Sequence, residues 1–271
     1  MTTVHKIIKY LAMAFAMFLC VSIIGGIITG IAGVSLLLSD RDGEPAGEMQ
    51  TYPIDGEVFS LSVNLSGAKF QIKTSDSFSV ESNHEYISVS LDDGKLCIKE
   101  TKKPFALSPK GVTVVLNIPE DFVFDEATVE TGAGEVNIET LSADVLKLYL
   151  GAGEAKIQRL VAKSQSRIDG GAGELTISGG LLCNLNFDMG VGEVTLKSRI
   201  EGNSKIDMGV GEINLTLLGS RDDYKIEIDK GIGDANLDGK DVTDGSVYGS
   251  GENKIEIDGG VGDIDIDFAE Y

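Results

Sequence analysis

Phe187-Asp188-Met189-Gly190-Val191-Gly192-Glu193-Val194-Thr195-Leu196 holds the pattern that decides the fold. An apolar residue three positions before the first glycine sets an inward phase, and the residue between the glycines continues it. After the acid, Val194 and Leu196 face inward again, but two positions rather than one separate Val191 from Val194. The period-2 alternation of a strand therefore slips by one. Such a slip would throw an apolar set into solvent unless the backbone bends there, and glycine supplies that freedom. The stretch reads as strand, glycine corner, strand.

The same tetrad recurs from Gly132-Ala133-Gly134-Glu135 through Gly151-Ala152-Gly153-Glu154, Gly171-Ala172-Gly173-Glu174 and the quoted copy. It continues at Gly209-Val210-Gly211-Glu212, Gly231-Ile232-Gly233-Asp234 and Gly260-Val261-Gly262-Asp263. The spacings are 19, 20, 19, 19, 22 and 29 residues, the last enlarged by a polar loop over residues 238–250. Three columns are apolar throughout. Val129, Leu148, Ile168, Phe187, Ile206, Ile228 and Ile257 form the first. Val136, Ala155, Leu175, Val194, Ile213, Ala235 and Ile264 form the second. Ile138, Ile157, Ile177, Leu196, Leu215, Leu237 and Ile266 form the third. Units that cannot bury an apolar face alone gain a core by stacking. The expected fold is all-β, a parallel β-solenoid of about 19-residue repeats with a thin aliphatic interior; the chain has no Trp.

Upstream, residues 54–100 alternate in the same period, as in Tyr86-Ile87-Ser88-Val89-Ser90-Leu91, and Asp92-Asp93-Gly94 marks a hairpin before Lys95-Leu96-Cys97-Ile98. Residues 39–53 are polar with Gly and Pro and read as a stalk. Residues 11–38 are an apolar run broken only by Ser, Thr and Gly, with no Asp or Glu before Asp40. Twenty-eight helical residues span about 42 Å, more than a hydrocarbon core of roughly 30 Å needs. Neither a short apolar stretch nor a small-residue cleavage site marks a removable signal. The reading is one transmembrane helix over residues 10–38 behind a short cytoplasmic tail, residues 1–9. Lys6 and Lys9 on one flank and Asp40, Asp42 and Glu44 on the other leave residues 54–271 extracytoplasmic. Gly26 and Gly30 have the small-xxx-small spacing that lets two such helices approach as a homodimer.

The chain carries a net −20, and without the anchor's two lysines the outer part carries −22. Such a surface repels phosphate backbones, which excludes nucleic acid as a partner. Two histidines, His5 in the tail and His84 in a polar loop read as solvated, give no nucleophile–base pair and no zinc cluster. No glycine loop is followed by the lysine and helix of a phosphate cradle. Catalysis and cofactors are not expected. Cys97 and Cys183 lie in separate strand-like runs, and nothing in the fold requires a disulfide between them.

The acids are the remaining candidate. One outward column holds Glu130, Tyr149, Asp169, Asp188, Asp207, Asp229 and Asp258. The other holds Glu135, Glu154, Glu174, Glu193, Glu212, Asp234 and Asp263. At a coil spacing of about 4.8 Å, adjacent carboxylates repel by about 0.9 kcal/mol even in water. This ladder, centred on Asp169, Glu174, Asp188, Glu193, Asp207 and Glu212, admits three readings. It is a solvated face that keeps edges soluble, a Ca²⁺ surface of hard oxygens, or a contact for a basic partner.

Residues 111–119 (GVTVVLNIP), then Ala127-Thr128-Val129-Glu130-Thr131-Gly132-Ala133-Gly134-Glu135-Val136 and the reiterated Gly-Ala-Gly-Glu units, resemble the bacterial adhesin-like toastrack (DUF4097-type) family. The resemblance runs from about Ile54 to Phe268. It implies a β-helical extracytoplasmic domain, often membrane-tethered and found beside envelope-stress or signalling systems, and it carries no catalytic or ligand-binding residues. Two roles are therefore expected as alternatives: a surface interaction domain of the cell envelope, with an unknown protein or glycan partner, or a membrane-tethered sensor or regulator.

Overall fold

A computed structural model of the chain describes residues 47–101 and 111–270. The anchor, the Gly26/Gly30 pair and residues 39–46 of the stalk lie outside the described residues. No helix among the described residues is long and apolar enough to cross a membrane.

The described residues are almost entirely strand. In chain order they are β1 (Gln50–Pro53), β2 (Ser60–Leu65), β3 (Lys69–Ser75), β4 (Ser79–Ser82), β5 (Ile87–Asp92), β6 (Lys95–Glu100) and β7 (Thr113–Pro119). There follow β8 (Phe124–Ile177), β9 (Gly180–Cys183), β10 (Leu185–Glu201), β11 (Asn203–Leu218), β12 (Tyr224–Asp229), β13 (Ala235–Leu237), β14 (Lys240–Asp241), β15 (Ser246–Tyr248) and β16 (Asn253–Ala269). All sixteen belong to one open sheet. Gln50–Pro53, inside the segment read as stalk, is β1 and pairs antiparallel with β4. Its Tyr52 is half-buried against the core, which ties those residues to the sheet.

The long strands run parallel and in repeat register. Phe187 lies beside Ile168 on one side and Ile206 on the other, and Val194 beside Leu175 and Ile213. Apolar residues thus stack on apolar ones in these columns, and the register follows the repeat of the sequence. The three apolar columns are buried from Val129 to Ile266 and merge with the upstream strands in one core that includes Phe70, Leu96 and Phe124. Phe78, Phe122 and Phe124 close one end, with ring centroids 4.8 Å apart between Phe78 and Phe122 and between Phe122 and Phe124.

The stacking order departs from the chain order. β11 pairs with β16, and β16 in turn pairs with β12 and β13. The 260 repeat therefore lies between the 209 and 231 repeats. The long loop before β16 makes this reach feasible, and its two short strands turn back antiparallel on β12 and β13. At the opposite end β2 lies between β6 and β8, and antiparallel β4 and β5 flank β7 and β6. Both ends thus finish in antiparallel pairs that shorten the open edges.

Candidate functional site: the carboxylate-lined glycine corner

The corners form one continuous stack of eight levels: Ser66–Ala68, then the glycine pairs 132/134, 151/153, 171/173, 190/192, 209/211, 260/262 and 231/233. Spacing of about 4.8 Å makes this ridge roughly 34 Å long. At each level the second glycine has positive φ, +147° at Gly192 and +141° at Gly211, a region other residues rarely adopt. A Cβ on the first glycine would strike the preceding level; on Gly190 it would stand 2.6 Å from the Gly171 carbonyl oxygen. The tetrad's glycines are therefore required twice, once for conformation and once for the close approach of backbone to backbone.

The residue between the glycines does not continue the inward phase. Ala133, Ala152, Ala172 and Ile232 are exposed, and Val191, Val210 and Val261 are half-exposed. The chain turns about the glycines, which leaves that side chain on the convex side of the corner. The inward place is taken by the residue before the first glycine where it is large enough, as Met189 and Met208 are. Met189 packs its sulfur where a Cβ of Gly170 would stand, a use of the flexible thioether as gap filler.

The two acid columns flank this ridge as read. Asp188 lies in register between Asp169 and Asp207, and Glu193 between Glu174 and Glu212. Asp207 and Glu212 are continued by Asp258 and Asp263, and Asp258 by Asp229. Sequence reasoning missed the cations placed against them. Arg167 Nε donates to Asp169 Oδ2 at 2.9 Å, and Lys205 bridges Asp207 at 2.8 Å and Asp258 at 2.9 Å. Lys156 pairs with Glu154, and Lys69 with Glu135 at 3.0 Å. The signal was present: residues two apart in a strand share a face, which puts Arg167 beside Asp169, Lys205 beside Asp207 and Lys156 beside Glu154.

Electrostatics along the columns is correspondingly uneven. Asn137 Nδ2, 2.6 Å from Glu135 Oε1, and then the Lys69 ammonium hold the Glu135 carboxyl below its ordinary range. The carboxylates of Asp207 and Asp258 hold Lys205 protonated well above the usual lysine range. Asp169 keeps one carboxylate oxygen buried without a hydrogen-bond partner. Among the described residues, Glu174, Asp188 and Glu193 have no ion pair within 4.0 Å. The same holds of Glu212, Asp263, Asp234 and Asp229 farther along the ridge. No group of three or more His, Cys, Asp or Glu among the described residues is placed to hold one metal ion.

His84 is not solvated. It is buried in the turn after β4, where its Nδ1 accepts from the Tyr86 amide at 3.2 Å. Cys97 in β6 and Cys183 in β9 are both free and half-buried.

The corner geometry has a counterpart among known sequences: the profile of the Toastrack DUF4097 family matches residues 53–267. The chain belongs to that family. The toastrack match spans the sheet from the end of β1 into β16, so the glycine corners and both acid columns lie within it. Among curated proteins none matches the chain. Solved structures similar to this toastrack domain include a protein of Clostridium sporogenes ATCC 15579 provisionally named for cell adhesion. It is 18% identical, covers 82% of this chain and 99% of its own, and has a TM-score of 0.34. A provisionally named adhesin of Bacteroides fragilis NCTC 9343 is 13% identical over 81% and 96%, with a TM-score of 0.34. A Parabacteroides distasonis ATCC 8503 protein provisionally named as lipid-binding is 15% identical over 80% and 97%, with a TM-score of 0.37. Similarity at this level carries no statement of function for the toastrack domain.

Proposed function

We propose that the chain is a non-enzymatic, membrane-anchored interaction protein whose adhesin-like β-solenoid is displayed outside the cell membrane and recognises a cationic partner along the glycine corner. The observation that carries this reading is the ridge itself. A run of small side chains roughly 34 Å long, flanked by carboxylates in register, offers an extended contact with little side-chain entropy to lose. The unpaired carboxylates Glu174, Asp188 and Glu193 at its middle attract positive charge, because opposite potentials steer association. Support for display outside the membrane comes from the apolar run over residues 11–38 and its flanking charges.

A decalysine peptide titrated against the full-length protein in uncharged detergent micelles tests the recognition. Binding should be clear at about 20 mM salt and several-fold weaker at about 150 mM, where the Debye length shortens to roughly 8 Å. The triple variant Glu174→Gln, Asp188→Asn, Glu193→Gln should lose most of it. Equal binding by wild type and variant would remove the ridge as the contact. Ca²⁺ and Mg²⁺ at equal ionic strength form the second arm. A melting temperature raised by Ca²⁺ well beyond Mg²⁺, and levelled in the triple variant, would replace the partner reading with a cation site.

A further inference from the structure

β16 is the last strand among the described residues, yet it sits between strands that precede it in sequence. Fifteen residues, Asn203 to Leu218 with Gly209 passed over, register against β16 on one side. On the other side Tyr224–Asp229 and Ala235–Leu237 register against it. The strands β12 and β13 pair otherwise only with β15 and β14, which belong to the same terminal loop. The final repeat is thus joined to the rest of the sheet through β16. Without β16, β11 would present a sixteen-residue edge, and β12 and β13 would keep only the short strands of the loop as partners.

The loop feeding β16 is tied to the last repeat as far as Tyr248, and exchange would turn on the short glycine-containing link of residues 249–252. Residues 238–252 contain glycines at positive φ, +67° at Gly239, +68° at Gly245 and +76° at Gly249. Their strands, β14 and β15, are only two and three residues long, and Val242 between them is buried in the core. Beside the β12–β15 and β13–β14 pairing, Lys230 N to Asp244 Oδ1 at 3.0 Å, Gly245 N to Ile228 O at 2.9 Å, Val242 N to Ala235 O at 2.8 Å and Arg221 to Asp238 at 3.2 Å hold residues 238–248 to the last repeat. The contacts that β16 makes with its slot are far more numerous, and a second copy of the chain supplies the same strand. Exchange of an element between copies costs only what the hinge loses, since the element's own contacts are restored.

We infer that the slot between β11 and β12 is an acceptor for residues 253–269 of a second copy of this chain, giving a strand-exchanged dimer. Its formation depends on protein concentration while β16 is free to choose between its own slot and a neighbour's. Once closed, both slots hold the side-chain columns of the monomer, with Ile257 between Ile206 and Ile228 and Ile264 between Ile213 and Ala235.

Register partners Asn203 and Lys254 supply the test. In the full-length protein with Cys20, Cys97 and Cys183 replaced by serine, Asn203→Cys and Lys254→Cys place two thiols across the β11–β16 seam. The protein is unfolded in guanidinium, refolded into uncharged micelles at about 1 and about 200 µM, oxidised, and run on a denaturing gel without reductant. Exchange predicts a disulfide-linked dimer band at least about five-fold stronger at the higher concentration and abolished by reductant. A disulfide confined within one chain at both concentrations overturns the inference, even if light scattering finds dimers, because such dimers associate by another surface. Should the first pair not oxidise, Asn214→Cys with Asp265→Cys reads the other arm of the same seam. If neither pair closes in any species, β16 does not occupy the slot and the inference falls.

Discussion

Gly192 stands where both demands on the corner meet, so Gly192→Ala isolates the origin of the repeat. Its φ of +147° lies in a region that costs a non-glycine residue about 1–3 kcal/mol. Its Cβ would also run into the backbone of Gly173 in the preceding coil. Relief requires the two coils to part locally, with a loss of about 1 kcal/mol for each ladder hydrogen bond weakened. With two such bonds the total is roughly 3–5 kcal/mol, and at roughly 2–4 °C per kcal/mol for a domain of this size the melting temperature should fall by roughly 6–20 °C. Gly239→Ala is the control. Its φ is +67° with nothing within 4 Å of the added Cβ, so it pays only the left-handed penalty of about 1 kcal/mol, worth roughly 2–4 °C. Val191→Ala, half-exposed between the same glycines, should shift the midpoint by less than about 3 °C. Thermal unfolding of the full-length protein, followed by circular dichroism in micelles, measures all three. If Gly192→Ala melts within about 3 °C of Gly239→Ala, close backbone stacking is not what the tetrad encodes.

Ile206 is fully buried in the first apolar column, so Ile206→Asp should unfold the C-terminal coils in denaturant titration. Lys205→Asp removes the bridge to Asp207 and Asp258 and should lower stability measurably but far less; equal losses would refute the assignment of faces. Because the Glu135 carboxyl is held below its ordinary 4.5, its contribution is present above that pH and is lost as pH falls through the lowered value. Glu135→Gln should therefore lower stability slightly near neutrality and converge with the wild type as pH falls well below 4.5, which flattens the acid limb of the stability–pH curve. For the orientation, Lys240→Cys in the background lacking the native thiols should react with a membrane-impermeant thiol reagent on intact cells. Labelling only after lysis would reverse the topology.

The alternation made the columns legible in advance. A strand's side chains alternate strictly, so one repeat suffices to tell inside from outside, and seven repeats that agree fix the register. Two features escaped that logic. Glycine removes the rule that parity encodes direction, so the residue between the glycines could not be placed by counting, and Ile232 proves to be exposed. Stacking order is equally silent in sequence, because Ile206, Ile228 and Ile257 are interchangeable by type. Only loop length hinted that the 29-residue gap did something other than pass to the next level. Of the candidate site, the in-register acids were readable and their cations were readable in principle two residues away. His84 was misplaced because polar neighbours signal a loop, whereas a tight turn can fold a ring against the sheet end.

Stacking in the order 209, 260, 231 places Asp258 and Asp263 directly beside Asp207 and Glu212, and cross-linking measures that order directly. In the background lacking native thiols, Glu212→Cys with Asp263→Cys joins register partners on adjacent strands, about 5 Å apart. Glu212→Cys with Asp234→Cys spans two levels, about 10 Å, beyond the reach of a disulfide. The observed stack predicts rapid oxidation of the first pair and none of the second in the folded protein. Rapid closure of the 212–234 pair, with the 212–263 pair left reduced, would restore the chain order and contradict the columns described for the last two coils.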